Sequence, residues 1–571
     1  MAPIHPEVED ALSHIEGADM RHPSALLLSS FITEALYPVQ TARYVNDRLL
    51  HDDARSILSD WVYIVKCMQN GDAPPPPDPI AQRSITRRDG GKCCVTGKAG
   101  IARDPLLVSP ILPIPSGWMT DNPRISDMLG AFFGPPYRDW WFLNIKRPEE
   151  SPLYNHWLVR KSAASALAQG LVRLDRQPPS TIEYEAQPVI IGPEDPIDLD
   201  GAFPLLGDHS RSRLATVDPR YVGTHARLSR SFRFVNLAQE IAPGILLPFG
   251  QPESSTPNGE HPTSQPSASS GPPQRNLPNR PSFLTDLFVG AFLTVWLWFP
   301  IKARMAVYDK LRAAGQRRYG MPYGGVDGVQ KLPFNLYLKF GTVAGMAHNE
   351  FNALQMVRRH TKIPAPRVLD VFTKPDDASK DPYGYLLMTG LPGVSIDRCQ
   401  DILSDRDLAA IAAQMKDYVS QLRGIPKTVN PDKLICNTLG QACRDHRIRY
   451  GDPIGPFADE AAFSQFLRFP DEDARRGHEI VFTHADLNPR NILVDKVVLA
   501  DGTKGWRVTG IVDWETAGYY PEYWDYTKAF FERFRWTKRY NDAMHGVFNS
   551  FADYSREFDV ELRAWESGDG C

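Results

Sequence analysis

His484-Ala485-Asp486-Leu487-Asn488-Pro489-Arg490-Asn491 decides how the rest of the chain is read. Apolar Ile480-Val481-Phe482 enters this run, Ile492-Leu493-Val494 leaves it, and Val508 to Val512 leads into a second acidic landmark at Asp513-Trp514. Short apolar runs bounded by polar turn residues predict buried strands. The order is therefore strand, polar loop, strand, acidic turn. An Asp and an Asn five residues apart on such a loop, with a second Asp beyond it, suit phosphoryl transfer. One carboxylate orients an attacking hydroxyl, while an amide oxygen and the second carboxylate hold Mg2+ on nucleotide phosphates. Without Asp513 the same loop would read as ordinary Asp and Asn turn chemistry.

The pattern H-x-D-x-x-x-x-N, present as His484, Asp486 and Asn491, is followed by Ile511-Val512-Asp513-Trp514-Glu515. Together they resemble the aminoglycoside phosphotransferase family, small-molecule relatives of the protein kinases. The resemblance implies that Asp486 accepts or orients the hydroxyl proton and that Asn491 and Asp513 ligate Mg2+. His484 would brace the loop rather than react, because a carboxylate already fills the base position. Arg490 falls where a side chain steadies the γ-phosphate, and Asp525, in Trp524-Asp525-Tyr526, matches a structural element that braces the catalytic loop.

Upstream, Leu332 to Lys339 reads as a strand with Lys339 near its end, and Glu350 follows on a helix that carries Phe351, Leu354 and Val357 at helical spacing. In the family such a Lys neutralises the α- and β-phosphates of ATP and pairs with the helix Glu. The phosphate-covering loop is irregular: Gly324, Gly325 and Gly328 precede the strand without a regular Gly-x-Gly-x-x-Gly, and Asn335 stands where relatives often carry Gly. Tyr385 to Gly393 reads as a strand ending in a Gly-bounded turn, and resembles the interlobe hinge, with backbone groups around Met388 to Gly390 meeting the adenine edge. Ser404 with Asp407 three residues on predicts a capping box for a helix over 405–423. Its stripe of Leu408, Ile411, Met415, Val419 and Leu422 is core.

The chain has 571 residues, too many for one hydrophobic core, and 42% of them are hydrophobic. A net charge of −4 gives no global pull toward nucleic acid or anionic membrane. Seven scattered cysteines without metal spacing read as free thiols in a reducing compartment, and a polar, acidic start lacks a secretory signal. The expected location is intracellular.

Residues 1–250 form a separate expected domain. Helices are predicted around Ala25 to Ile32 and over Ala54 to Met68, and Pro74 to Pro77 is a stiff joint. Arg88-Asp89, Cys93-Cys94 and Thr96-Gly97 feed a short β run. With an extended apolar segment and a helical Asn155-His156 stretch reaching Ala168, they resemble HNH-type nuclease modules of many fungal proteins. The resemblance is degenerate, since Pro110-Ile111-Leu112-Pro113 has no His before its Ile, and without that base nuclease action fails. Strand-like runs at Thr181 to Glu185 and Pro188 to Ile191 follow. A basic run from Arg211 to Arg233, beside His225, is expected as a solvated face rather than a phosphate contact.

Residues 251–282, rich in Ser, Pro and Gly, cannot bury enough surface to order themselves and read as a disordered linker. Residues 283–300 are abruptly apolar, with about 14 clean positions against the roughly 20 that a membrane helix needs, so packing on the next domain is expected ahead of membrane contact. The expected architecture is α+β: a small degenerate HNH-like domain joined by the linker to a bilobal kinase-like domain over 301–571. The expected activity is transfer of the γ-phosphate of ATP, with Mg2+, to a hydroxyl of a small-molecule acceptor. The alternatives are a catalytically weak nucleotide-binding scaffold, or a nuclease or nucleic-acid-binding function in the N-terminal half.

Overall fold

The computed structural model describes residues 5–18, 20–71, 74, 76–113, 122–146, 152–190, 204–241, 295–319, 328–374, 382–448, 451–499 and 502–569. The chain divides into two compact units, residues 1–263 and 264–571. The expected linker 251–282, the first part of the apolar segment and Gly324-Gly325 lie outside the described residues.

The N-terminal unit is mostly helical around an aromatic centre. Helices Ser24–Thr33 and Ala54–Gln69 appear where the apolar spacing placed them. Phe31, Trp61 and Phe132 meet with ring centroids 4.7–5.8 Å apart. The long helix Pro219–Ile241 closes over them, with Ser231 accepting from Trp61 Nε1 at 3.2 Å. The basic run is therefore not simply a solvated face. His225 is buried and its Nε2 bonds Leu167 O, Arg227 donates to the carbonyls of Glu34 and Ala35, and Arg233 is buried.

Two corrections concern the region expected to be HNH-like. The Cys93–Thr96 stretch is a turn instead of a strand, closed by Gly97 N donating to Cys93 O. The Asn155-His156 stretch is interrupted as a helix: Pro152–Asn155 ends there and His156–Arg160 is a strand paired with Leu106–Pro110. Trp157, Leu158 and Val159 are aromatic or branched apolar residues that a buried strand accommodates better than a solvent-facing helix. The strand expected at two places is one, Tyr184–Pro188, paired with Val172–Arg176. Arg88 and Asp89 form a buried ion pair at 2.6 Å, and together they hold His156 O, Leu153 O and Leu158 N. Their chemistry is consumed by the fold.

In the C-terminal unit, helix α1 (Ile301–Tyr319) precedes an antiparallel sheet of β1 (Gly328–Leu332), β2 (Leu336–Val343), β3 (Val368–Thr373) and β4 (Tyr383–Thr389), ordered β1-β2-β4-β3. Side chains alternate across a strand. Leu338 and Phe340 thus join Tyr308, Leu332, Phe372 and Leu387 in the core under α1, whereas Lys339 faces the other way. On that side lies helix α2 (Ala344–His360). Gly315 lets α1 lie against β1, since a Cβ there would stand 2.3 Å from Lys331 O. Of the apolar segment before α1, Trp296 packs on this core while Trp298 is exposed.

The single strand expected from Leu332 to Lys339 is broken. Pro333-Phe334-Asn335 turns the chain between β1 and β2, with Phe334 and Asn335 at φ +66° and +56°, so Lys339 sits inside its strand rather than near the end. Asn tolerates this left-handed region better than most residues.

The C-terminal lobe follows β4. Helix α3 (Asp405–Arg423) begins with the expected Ser404–Asp407 capping box. Strands β5 (Val394–Ser395), β8 (Ile492–Val498) and β9 (Lys504–Ile511) form one sheet, ordered β9-β8-β5. Strands β6 (Cys436–Asn437), β7 (Ile480–Thr483) and β10 (Gly518–Pro521) form another, ordered β6-β10-β7. Helices α4 (Trp524–Phe531), α5 (Lys538–Asn549) and α6 (Ser555–Ala564) complete the lobe. The six described cysteines are all free thiols. Among the described residues no helix is long and apolar enough to cross a membrane.

Candidate active site

The loop between β7 and β8 carries Asp486 and Asn491, and the turn after β9 carries Asp513. Strand alternation aims Lys339 at α2, where Glu350 Oε2 receives its Nζ at 2.9 Å. The same Nζ lies 2.5 Å from Asp513 Oδ1 and 2.6 Å from Glu515 Oε2. Helix α2 is pinned to the acidic turn by Trp514 N donating to Glu350 Oε1 and by Asn349 donating to the carbonyls of Glu515 and Ala517.

Three carboxylates around one ammonium set the local electrostatics. Carboxylate oxygens of Glu350, Asp513 and Glu515 lie within 4.8 Å of one another. Burial alone would lower the Lys339 pKa, but Asp513, Glu350 and Glu515 raise it well above the usual lysine value. One cation cannot hold all three acids ionised. Asp513, whose side chain is 40% exposed, stays below the usual carboxylate range: burial opposes this, and Lys339 overcomes the burial. Desolvation and neighbouring negative charge push Glu350 and Glu515 up against the pull of Lys339.

The loop between β7 and β8 is tightly braced. Asp525, buried at the start of α4, accepts from Ala485 N at 2.8 Å and from His484 N at 3.3 Å. His484 Nδ1 accepts from Asp486 N, its Nε2 donates to Val512 O, and its ring lies 4.4 Å from Trp514. Burial depresses its pKa, so it is a neutral spacer between the two motif segments. Ala485 and Asp513 both have positive φ, +59° and +67°. Such non-glycine strain of order 1–3 kcal/mol per residue persists where surrounding bonds enforce it.

Asn491 spends its amide N–H groups on Asp486, donating to the main-chain oxygen at 2.8 Å and to Oδ2 at 2.9 Å. Asn488 donates to Asp486 Oδ1 at 3.0 Å. Burial raises the Asp486 pKa, opposed chiefly by Lys528.

Residues 338–557 match the model of the phosphotransferase enzyme family. They form a domain of that family. No curated protein matches the chain. Among solved structures, the GDP and kanamycin complex of APH(2")-IIia is 15% identical at a TM-score of 0.32, over 45% of this chain and 88% of that one. A ternary complex of a thermostable APH(4)-Ia mutant with ADP and hygromycin B is 15% identical at 0.29, over 45% and 87%. The GDP complex of wild-type aminoglycoside 2'-phosphotransferase-IIIa is 15% identical at 0.29, over 46% and 94%. At such scores these likenesses carry no argument. The family match lends no support to the HNH-like reading of the N-terminal unit.

Within the phosphotransferase domain, Arg490 and Gly390, both expected at the site, have partners inside the fold. Arg490 donates to Glu532 Oε2 at 2.5 Å and lies 5.5 Å from the Trp536 ring centroid, because that carboxylate and ring outcompete open solvent for its guanidinium. The backbone expected as the hinge is engaged within the fold. Gly390 N donates to Asn335 O at 2.7 Å, and Gly390 O accepts from Asn335 Nδ2 at 3.2 Å. The β1–β2 turn therefore engages both backbone groups of Gly390. Met388 is buried within β4, opposite Tyr337 and Val368. The next amide, Leu391 N, donates to no described residue.

Sequence reasoning quoted Glu515 and Asn335 without giving either a site role, and missed Asp445 and Lys528. Glu515 had a signal, its fixed place two residues beyond Asp513. Asn335 meets Gly390 across 55 residues and Lys528 meets Asp445 across 83, and no local pattern marks those contacts.

Proposed function

We propose that the kinase-like unit, residues 301–571, transfers the γ-phosphate of ATP to a hydroxyl of a small molecule. The observation that carries this reading is the convergence of Lys339, Glu350, Asp513, and the loop pair Asp486 and Asn491 from four separate elements onto one site. Asp486, held by two amide donors, receives or orients the hydroxyl proton. Lys339, fixed by Glu350, meets the α- and β-phosphates. The adenine edge meets hinge backbone between Met388 and Leu391, with Leu391 N–H replacing the engaged groups of Gly390.

The residues fit Mg2+. Asn491 has turned its N–H groups to Asp486, which leaves its amide oxygen as a ligand, and Asp513 and Glu515 add hard carboxylate oxygens. Lys339 alone leaves this acidic cluster under-neutralised, a condition that a divalent cation relieves. When bound, Mg2+ neutralises phosphate charge during transfer. Asn491, Asp513 and Glu515 would hold it.

For the N-terminal unit we propose a non-catalytic remnant of an HNH-like module. Arg88, Asp89, Asn155 and His156 are all bonded within the fold, Asn155 clamping both the N–H and the C=O of Leu112. Metal-dependent nucleic-acid cleavage by the full chain, abolished in His156→Ala, would refute this.

The test of the main proposal is ATP turnover by the full chain with Mg2+ across a panel of hydroxyl metabolites, beside Asp486→Ala. Removing the group that positions the nucleophile should lower turnover by several orders of magnitude. Tight ATP binding without turnover, equal in both proteins, would favour a nucleotide-binding scaffold.

A further inference from the structure

The catalytic loop carries one cation of its own, Arg490, and Glu532 and Trp536 hold it. A lysine from another element approaches Asp486 instead. Lys528 on α4 places Nζ 3.8 Å from Asp486 Oδ1 and 3.1 Å from Asp445 Oδ1, with its side chain only 6% exposed. A buried lysine needs a compensating charge, and the neighbourhood shows which one it has.

Asp445 is already matched by Arg447, whose Nη2 lies 3.1 Å from Asp445 Oδ2 and whose Nε lies 3.3 Å from Oδ1. Arg447 is locked in turn by Thr527 Oγ1 at 3.1 Å and by the Trp524 ring at 4.5 Å. Glu561 pairs with Arg475 and lies 3.9 Å from Arg447. Three buried or half-buried acids, Asp445, Glu561 and Asp486, thus face three cations, Arg447, Arg475 and Lys528. With Asp445 and Glu561 matched to the two arginines, the charge left opposite Lys528 is the Asp486 carboxylate.

Building on the phosphotransferase reading, we propose that Lys528 is a positioning residue of the transfer site. It draws Asp486 Oδ1 toward α4 while Asn491 holds Oδ2, so the carboxylate plane is set from both sides before an acceptor hydroxyl arrives. Asp445 keeps Lys528 in place, and the chain of alternating charges runs from α6 to the catalytic loop. Lys528 acts through Asp486, so its loss should lower kcat while nucleotide binding stays intact.

The single variant Lys528→Met leaves the Asp486 carboxylate without its counter-charge and the network one cation short, and can lose activity by misfolding. The informative protein is the full-length double variant Lys528→Met/Asp445→Asn, which removes one charge of each sign and leaves the network neutral. Misplacing a catalytic group by about 1 Å costs on the order of 100-fold. The expected result is therefore a roughly 100-fold fall in Mg·ATP turnover, with an unchanged KM for ATP, unchanged Mg·ATP affinity by titration and wild-type melting. Turnover within about threefold of wild type in the double variant would overturn the inference and leave Lys528 as a counter-charge for Asp445. A wild-type protein that turns over no ATP with any acceptor would overturn the phosphotransferase reading itself, and this inference with it.

Discussion

Replacing Lys339 by Met tests the electrostatic account of the site most directly. The side chain keeps its approximate length, but its charge disappears from among Glu350, Asp513 and Glu515, whose carboxylate oxygens lie within 4.8 Å of one another. Glu350 is 1% exposed and, among the described residues, keeps only Trp514 N as a donor. Removing one partner of a buried ion pair typically costs 3–5 kcal/mol. At roughly 2–4 °C per kcal/mol for a domain of this size, the C-terminal unit should melt about 6–20 °C lower. The sign with pH follows from the carboxylates. Glu350 and Glu515 already sit above the ordinary carboxylate pKa in the folded protein, and without Lys339 they move higher. A group with a raised folded pKa binds more protons folded than unfolded, so stability rises as pH falls through that pKa. The deficit relative to wild type should be largest near pH 8 and shrink by pH 6, and millimolar Mg2+ should also reduce it. Thermal unfolding of the full chain, monitored at pH 6, 7 and 8 with and without Mg2+, measures all of this. A loss under 2 °C, or an equal deficit at pH 6 and pH 8, would refute the claim that Lys339 neutralises this cluster.

Asp525→Ala should strand the amides of His484 and Ala485, costing on the order of 2–4 kcal/mol; its turnover should drop together with its melting temperature, and a variant with wild-type values for both would remove Asp525 from the brace. Gly390→Ala would place a Cβ 2.5 Å from both Asn335 Oδ1 and Tyr337 Cε2. An overpacking penalty of about 1–3 kcal/mol and weaker ATP binding are expected, read by melting and by nucleotide titration. His478 lies between Glu460 at 2.6 Å and Glu557 at 3.4 Å. Burial lowers its pKa, but these acids lift it to about 9. Its raised folded pKa means that the stabilisation is complete below about pH 6.5 and is lost as pH rises through 9. The shift caps this contribution at about 3 kcal/mol, and solvent screening reduces it to about 1–2 kcal/mol. The melting difference between wild type and His478→Gln should be full at pH 6 and vanish by pH 10; a difference independent of pH would exclude the imidazolium.

The Asp486–Asn491 loop was legible in one dimension because its parts are local. His484, Asp486 and Asn491 share one loop, and hydrogen bonds over two to five residues shape it. The capping box at Ser404 and the helices at 24–33 and 54–69 are legible for the same reason: spacing of three or four residues is a property of the chain itself. The hairpin turn at Pro333-Phe334-Asn335 was hidden inside an apolar run, since only sheet pairing shows that β1 and β2 are two strands. Arg490 looked like a phosphate ligand because its position was known and its competitors were not.

By itself, then, the sequence determined the kinase-like domain, its Lys–Glu pair, its Asp–Asn loop and its second Asp, all of which depend on short-range order along strands, turns and helices. The tertiary structure decided how charge is shared among them. Glu515 joins Lys339 in addition to Glu350 and Asp513, Asn335 engages both backbone groups of Gly390 from a turn 55 residues away, and Lys528 reaches Asp486 from a later helix. Side-chain electrostatics act through space at 3–4 Å, and no spacing along the chain encodes which distant residues the fold will bring that close.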